Sequence, residues 1–487
     1  MPGGGVDIGR REFLQRAGLI GGAALGASTL AGLGLPIDSA LAATGGSILS
    51  APATESPIDH VVVVMMENRS FDHMLGYLAA DSGYIRNGRT RWGKTFSVDG
   101  VQHQSFPDPE GNLVATSRLL QQAGETNPWR GCGFEDPGHG WDAGRAERDG
   151  GFLAPGSGND QFALGYYEGA DLRFTDHLAR HYTVFDRYHA SLLGPTYPNR
   201  EYLHSAQSGG NKTNAFPTDP GGFGWPLIWD KLAAANVPSR YYYSDLPLLA
   251  LFGPRGLGYS SPIAQYFDAC AAGTLPNVTM VDPNFVGPNQ CDDHPLADVR
   301  AGQRYLRDVF RAFVQSPHWQ HGAFIVTYDE WGGFFDHVRP PHLPDDRASA
   351  DDAEDFSQAG FRVPAMLASP YARRGFVDHR QYDHTSILRF LEWRFLGAPP
   401  EGPGRAGDTW FLTARDRAAS NIGASLAPTL VEPAPQFSLD MHIDAPSPRC
   451  AGQDASTFRS LSTNSGDDAF DEAAWRTYLD RVGFQPG

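Results

Sequence analysis

The stretch that decides the fold is IDHVVVVMM at residues 58–66, followed at once by ENRS at residues 67–70. A continuous β-branched run predicts a strand buried on both faces by helices. Apolar side chains then recur at helical spacing from Phe71 to Leu78, so we expect a helix to begin near Ser70. The first unit of the chain is therefore a strand, a polar turn and a helix.

Similar apolar runs recur along the chain and alternate with helical patterns. The runs are Ser239–Tyr243, Val278–Val281, Ala323–Tyr328 and Val363–Ala368, and the clearest helical patterns are Asp298–Gln315 and Thr385–Phe395. This alternation predicts an α/β fold with a mostly parallel, doubly wound sheet and helices on both faces. Ligands of such sheets bind beyond the carboxyl ends of the strands, so the residues that follow each strand are candidates for function.

Three other segments have weaker patterns. Residues 80–165 are rich in Gly, Asp, Pro and Asn and predict a long insertion over one end of the sheet, able to supply a lid or a substrate wall. Residues 398–450 are rich in Pro and are expected to wrap the surface, and 467–482 have the pattern of a final helix. We therefore expect a motif core at 59–396, the insertion, and a C-terminal wrap at 398–487.

The composition excludes some classes of protein. The chain has 487 residues with 39 Lys and Arg against 56 Asp and Glu, a net charge of −17. Such a chain repels polyanions on average, so nucleic acid is a poor candidate partner. No period of 20–50 residues repeats, which argues against a solenoid or a propeller.

The N-terminus resembles a twin-arginine signal peptide. Arg10 and Arg11 precede an apolar stretch at about 17–35, and small residues at 40–42 offer a cleavage site. A membrane anchor is the alternative, but Gly and Ser dilute the stretch. We expect cleavage of 1–42 and export of 43–487 as a single domain that is periplasmic, cell-wall-associated or secreted, with no transmembrane segment.

The four cysteines show no metal-ligand spacing, which argues against a structural zinc site. An exported protein can form disulfides. Cys270 and Cys291 close the shortest loop, so we expect them to pair and Cys132 and Cys450 to stay free.

Two strand ends carry hard oxygen ligands. Glu67-Asn68 follows the first strand, and Asp329-Glu330 follows Ala323–Tyr328. If these groups converge, they can bind a divalent cation. The alternative is that each acid caps a neighbouring helix.

A tight turn at 194–200, GPTYPNR, leads into a helix that Pro198 suits in its first turn. It places the Thr196 hydroxyl beside unpaired backbone N–H groups and Arg200 within one turn of it, which suits a phosphate. The alternative is that Thr196 is an ordinary helix cap.

Four histidines lie in polar turns, and each could serve as a general acid, a metal ligand or a phosphate donor. They are His139, His294, His337 and His384. A structural role is the alternative for each of them.

Five segments together resemble the bacterial phosphoesterase family of non-specific phospholipases C and related acid phosphatases. They are DHVVVVMMENRSFDHMLGYL (59–78), SLLGPTYPNREYLHSA (191–206), DDHPLADV (292–299), TYDEWGGFFDHV (327–338) and YDHTSILRFLEWRF (382–395). The resemblance implies an alkaline-phosphatase-like α/β sandwich. It also implies a hydroxyl nucleophile in the TxPNR turn and a metal ion beside it.

Transferred residue by residue, the resemblance makes Thr196 the nucleophile and a metal ligand. The other metal ligands it implies are Glu67, Asn68, Asp329 and Glu330. His294 and His139 become catalytic, with His294 the best candidate for the acid or phosphate ligand. The expected substrate-binding residues are Arg200, His384 and His337.

The expected activity is that of an exported, metal-dependent phospholipase C acting at a membrane surface. It would release diacylglycerol and a phosphorylated head group from phosphatidylcholine-type lipids through a phosphothreonine. Because the ligands are mostly oxygen, Ca²⁺, Mg²⁺ or Mn²⁺ is favoured over Zn²⁺. The alternatives are an acid phosphatase on soluble phosphomonoesters with the same site, or a non-catalytic exported binding module.

Overall fold

The computed structural model describes residues 46–121, 127–402, 409–448, 450 and 472–484. The predicted signal peptide at 1–42 lies outside the described residues. The described residues form one compact unit. Within the described ranges, no helix is both long and apolar enough to cross a membrane.

An eight-stranded sheet forms the centre of this unit. In chain order its strands are β1 (His60–Met66), β2 (Thr183–Phe185), β3 (Ser239–Tyr243), β4 (Ser260–Pro262), β5 (Val278–Val281), β6 (Gly322–Tyr328), β7 (Ala365–Ala368) and β8 (Phe376–Asp378). Across the sheet the order is β8-β2-β7-β6-β1-β5-β3-β4. Only β7 in this sheet runs antiparallel to its neighbours. The predicted α/β class with a mostly parallel sheet is confirmed.

The helices predicted near Ser70, at Asp298 and at Thr385 begin close to their sequence signals. Within the described residues the helices are α1 (Phe71–Leu75), α2 (Ser82–Trp92), α3 (Trp141–Gly150), α4 (Arg173–His181), α5 (Thr196–Ser205), α6 (Ile228–Ala234), α7 (Gly253–Leu257), α8 (Ile263–Ala272), α9 (Val299–Gln315), α10 (Thr385–Leu391), α11 (Ala414–Ala418) and α12 (Glu472–Arg481). The Ser70 hydroxyl accepts from His73 N at 3.3 Å and caps α1. The Asp298 carboxylate accepts from Arg300 N and caps α9.

The two central strands bring the candidate ligands together. Every residue of β6 is buried, and so are Val61–Met66 of β1, so both faces of the sheet are covered. In the parallel pairing of these strands Met66 lies opposite Tyr328. The next residues, Glu67 and Asp329, therefore leave the sheet side by side at its carboxyl edge.

The segment 80–165 is more regular than its sequence predicts. It contains α2, α3 and an antiparallel strand pair, Ser105–Pro107 with Leu113–Ala115. These strands are too short to show an alternating pattern in a Gly-rich sequence. The segment packs on the core through Phe106, whose ring lies 6.3 Å from that of Phe335.

The expected disulfide is wrong. Cys132 pairs with Cys450, with Cα atoms 5.5 Å apart, while Cys270 and Cys291 are buried free thiols. Loop length was a poor guide because a disulfide requires Cα atoms within about 7 Å, and the fold decides which cysteines meet. The observed disulfide joins the C-terminal wrap to the predicted insertion.

Candidate active site at the carboxyl edge of the sheet

The turn after β1 holds the first two candidate ligands. Asn68 has a left-handed backbone, φ +73°, which asparagine tolerates better than most residues. Its backbone N–H donates to Asp329 Oδ1 at 3.2 Å, and Glu330 N donates to the same oxygen at 2.7 Å. The Asp329 carboxylate thus fastens the turn after β1 to the turn after β6.

Thr196 faces this edge from the first turn of α5. Its Oγ1 donates to Glu67 Oε1 at 2.9 Å, and it is fully buried. Pro195 occupies the cap position of α5 and makes no side-chain hydrogen bond there. The Thr196 hydroxyl is therefore directed at the Glu67 carboxylate, and it does not cap its own helix.

Arg200 lies one turn further along α5 and bridges two acids. Its Nε donates to Asp329 Oδ2 at 2.8 Å, and its Nη1 lies 3.1 Å from Asp282 Oδ1. A third contact runs from Nη2 to the carbonyl oxygen of Met66 at 3.1 Å. We expected Arg200 to bind phosphate, whereas these bonds direct its guanidinium to the carboxylates of the site.

Two ligand-type oxygens at this edge are buried without a partner. Glu67 Oε2 and Asn68 Oδ1 have no hydrogen-bond partner among the described residues. Burial, together with the charges of Asp329 and Asp292, raises the pKa of Glu67 well above its usual value. Burial likewise raises the pKa of Asp292 well above its usual value. A cation placed here would neutralise the negative charge of these neighbouring carboxylates.

Glu330 and Gly332 complete the turn after β6. Glu330 Oε2 accepts from the Gly332 backbone N–H at 2.6 Å. Gly332 has φ +65°, and a Cβ there would lie 2.3 Å from Asn68 Oδ1. Only glycine fits, because any side chain would strain the backbone and collide with a candidate ligand oxygen.

His139 and His294 meet beside Asn68. His139 Nε2 lies 3.1 Å from Asn68 Nδ2, so it accepts from that amide, and its Nδ1 lies 2.8 Å from the Pro137 carbonyl. The His294 ring packs edge-on against His139 with centroids 5.8 Å apart. His294 Nε2 is buried without a hydrogen-bond partner, and Asp136 Oδ2 lies 3.6 Å from it. Burial lowers the pKa of His294, although Asp136 opposes the shift.

The other two histidines have their ring nitrogens engaged. His384 Nε2 lies 2.6 Å from the Asp329 carbonyl oxygen and Nδ1 lies 3.3 Å from the Tyr188 hydroxyl, so this ring braces the turn after β6. The hydrogen bonds of His337 go elsewhere, to Asp72 Oδ2 at 2.5 Å and Asp99 Oδ1 at 3.1 Å. His337 thus belongs to an ion-pair network between α1 and the segment 80–165.

Three acids at the site were missed in the sequence. Asp282 directly follows the predicted strand Val278–Val281, so the strand-end rule could have identified it. Asp292 and Asp136 lie two and three residues before His294 and His139, in the same polar turns. No periodic pattern distinguishes such acids from ordinary loop residues.

Comparison with known proteins identifies the family. The model of the Phosphoesterase family matches residues 58–396. Non-specific phospholipase C6 of Arabidopsis thaliana is 30% identical over 369 residues, 68% of this chain and 67% of that protein. Phospholipase C B of Mycobacterium tuberculosis is 29% identical over 449 residues, 80% of this chain and 81% of that protein. Non-hemolytic phospholipase C of Burkholderia pseudomallei is 27% identical, and the match spans only 55% of its length.

The chain belongs to the Phosphoesterase family, since the family model matches more than half of it, and it is a hydrolase of phosphoric esters. Solved structures similar to it include the lipoteichoic acid synthase LtaP of Listeria monocytogenes, at TM-score 0.39 and 8% identity over 78% of this chain and 81% of that one. Another is a protein of the alkaline phosphatase superfamily from Vibrio parahaemolyticus, at TM-score 0.30 and 10% identity over 55% and 69%. These values are too low to support a conclusion, and the fold class rests on the sheet itself.

Proposed function

We propose that residues 43–487 form a single exported domain with phospholipase C activity. It hydrolyses phosphatidylcholine-type lipids to diacylglycerol and a phosphorylated head group. The observation that carries the proposal is the buried hydrogen bond from Thr196 Oγ1 to Glu67 Oε1 at 2.9 Å, because it places an oriented hydroxyl beside a proton acceptor. The names of the relatives, all phospholipases C, support a lipid substrate.

The residues at this edge fit a divalent cation. Glu67 Oε2 and Asn68 Oδ1 have no hydrogen-bond partner in the part of the chain that the structure describes, and oxygen donors suit Ca²⁺, Mg²⁺ or Mn²⁺. Glu67, Asn68, Asp329 and Glu330 would hold the ion together with Thr196. When bound, it would lower the pKa of the hydroxyl and neutralise charge on a phosphoryl oxygen.

Each of these side chains then has its own role in the reaction. Glu67 accepts the proton that the Thr196 hydroxyl gives up as Oγ1 attacks phosphorus, and the product is a phosphothreonine that water later hydrolyses. Doubly protonated His294 donates the proton on Nε2 to the departing diacylglycerol oxygen, since Nδ1–H faces the Pro295 carbonyl at 3.1 Å and Nε2 makes no hydrogen bond among the described residues. His139 orients the Asn68 amide, and His384 and Arg200 position Asp329.

An acid phosphatase acting on soluble monoesters would use the same groups. Phosphatidylcholine and p-nitrophenyl phosphate, assayed side by side with the purified protein, separate the two functions. Preference for the monoester by orders of magnitude would overturn the phospholipase assignment.

The nucleophile is tested by comparing Thr196→Ala with Thr196→Ser. Alanine should lower kcat by several orders of magnitude, while serine keeps a substantial fraction, because it retains a hydroxyl at the same place. Thermal unfolding of both variants is the control for folding. A folded Thr196→Ala enzyme that works at the parent rate would remove Thr196 from the chemistry.

Export is tested separately by fusing residues 1–45 to a reporter that must fold before transport. Replacing Arg10 and Arg11 by lysine should block its export, since lysine keeps the charge but loses the shape of the guanidinium group. Export at the original level would contradict the twin-arginine route.

A further inference from the structure

A second set of metal-type ligands adjoins the oxygen ligands. Ligand atoms of Asp136, His139 and His294, the histidine cluster, all lie within 4.8 Å of one another. Within the cluster, His294 Nε2 and Asp136 Oδ2 are 3.6 Å apart. Ligands around a tetrahedral zinc ion are separated by about 3.3 Å, so small side-chain rotations suffice to close this set on an ion.

Two buried atoms of the histidine cluster are left without a hydrogen bond within the described ranges. His294 Nε2 and Asp136 Oδ1 are buried without a hydrogen-bond partner in the described part of the chain, and His294 is only 4% exposed. A second group of similar composition, Asp72, Asp336 and His337, differs in this respect. There Arg362 already pairs with both acids, at 3.2 and 2.8 Å. Of these two groups, only the histidine cluster has ligand atoms that are buried without a hydrogen-bond partner among the described residues.

We propose that the histidine cluster is a second cation site, selective for Zn²⁺. Two imidazoles and one carboxylate with an open fourth position form a ligand set that zinc favours. The oxygen ligands around Thr196 instead suit Ca²⁺, Mg²⁺ or Mn²⁺. The two adjoining sites therefore differ in the metal they select.

Zinc at this site inhibits hydrolysis, a consequence that rests on the proposed function. The ion occupies the Nε2 lone pair of His294, which can then no longer carry the proton for the leaving group. It also competes with the Asn68 amide for His139 Nε2, because that amide donates to the same nitrogen at 3.1 Å. Binding of zinc itself does not depend on the reaction.

The test titrates ZnCl₂ by calorimetry into the full-length exported protein saturated with Mg²⁺. Asp136→Asn should weaken zinc binding at least tenfold and raise the half-inhibitory zinc concentration by a similar factor. Asp142→Asn is the matched control, because it removes the same charge from an exposed site six residues away. It should bind zinc like the parent. Equal zinc affinity in the parent and both variants would overturn the proposal.

Two further measurements keep the outcomes distinct. If Asp136→Asn proves unfolded by its thermal transition, His294→Gln supplies the same calorimetric comparison. Zinc bound at the cluster by a protein that hydrolyses neither phosphatidylcholine nor p-nitrophenyl phosphate would leave the site intact and refute the proposed function. Hydrolysis without zinc binding would refute the site alone.

Discussion

Replacing Arg200 by lysine tests whether this residue positions Asp329 or binds phosphate. The guanidinium is 2.8 Å from Asp329 and 3.1 Å from Asp282, and all three side chains are at least 95% buried. A single ammonium group cannot reproduce this fork, so one buried acid loses its positively charged partner. The expected loss in the free energy of unfolding is about 3 kcal/mol.

Arg362→Lys is the matched control, because Arg362 also bridges two buried acids, Asp72 and Asp336, at 3.2 and 2.8 Å. Both variants should lose similar stability in urea. Only Arg200→Lys should also weaken Mn²⁺ binding, by about 10–100-fold, as expected when a residue that orients a metal ligand is changed. Calorimetric titration with Mn²⁺ measures this. Unchanged Mn²⁺ affinity with a raised KM for p-nitrophenyl phosphate would refute the positioning role and restore the phosphate-binding one.

Three further outcomes are expected. Gly332→Ala should weaken Mn²⁺ binding, because its Cβ would lie 2.3 Å from the amide oxygen of Asn68. Gly397→Ala is the control, since Gly397 also has a positive φ, +83°, but its Cβ would meet nothing within 4 Å. Equal loss of Mn²⁺ affinity in both variants would contradict the clash. Reduction of the Cys132–Cys450 disulfide should cost about 2–4 kcal/mol in urea unfolding, and Cys132→Ser should be insensitive to reductant. Burial lowers the pKa of His337, but its two aspartate partners outweigh this and raise it to about 9. The protonated ring therefore stabilises the fold fully below about pH 6.5, and this contribution is lost as pH rises through about 9. The free energy of unfolding should fall by about 1–2 kcal/mol over this range, after allowing for solvent screening. His337→Gln should remove this dependence of the free energy of unfolding on pH.

The parts of the fold that the sequence predicts are those with a long local pattern. The helix predicted at Asp298–Gln315 is observed as Val299–Gln315, because its cap and its apolar face are both local signals. The strands Thr183–Phe185, Ser260–Pro262 and Phe376–Asp378 were not predicted. Three residues are too few to show a pattern, and these strands exist because neighbouring strands supply their hydrogen bonds.

The candidate site divides in the same way between local and distant causes. The strand-end rule and the turn at 194–200 identify which side chains reach the carboxyl edge, and Thr196 and Glu67 do meet there. They do not indicate where each group points. Arg200 lies beside Thr196 whether it binds a phosphate or a carboxylate, and its direction depends on Asp282, which follows a strand elsewhere in the chain. A buried guanidinium turns toward the nearest unpaired acids because leaving them unpaired costs several kcal/mol. The orientation of a charged side chain at such an edge therefore depends on charges that other strands contribute. The local motif that contains the side chain does not include those charges, so it cannot predict the orientation.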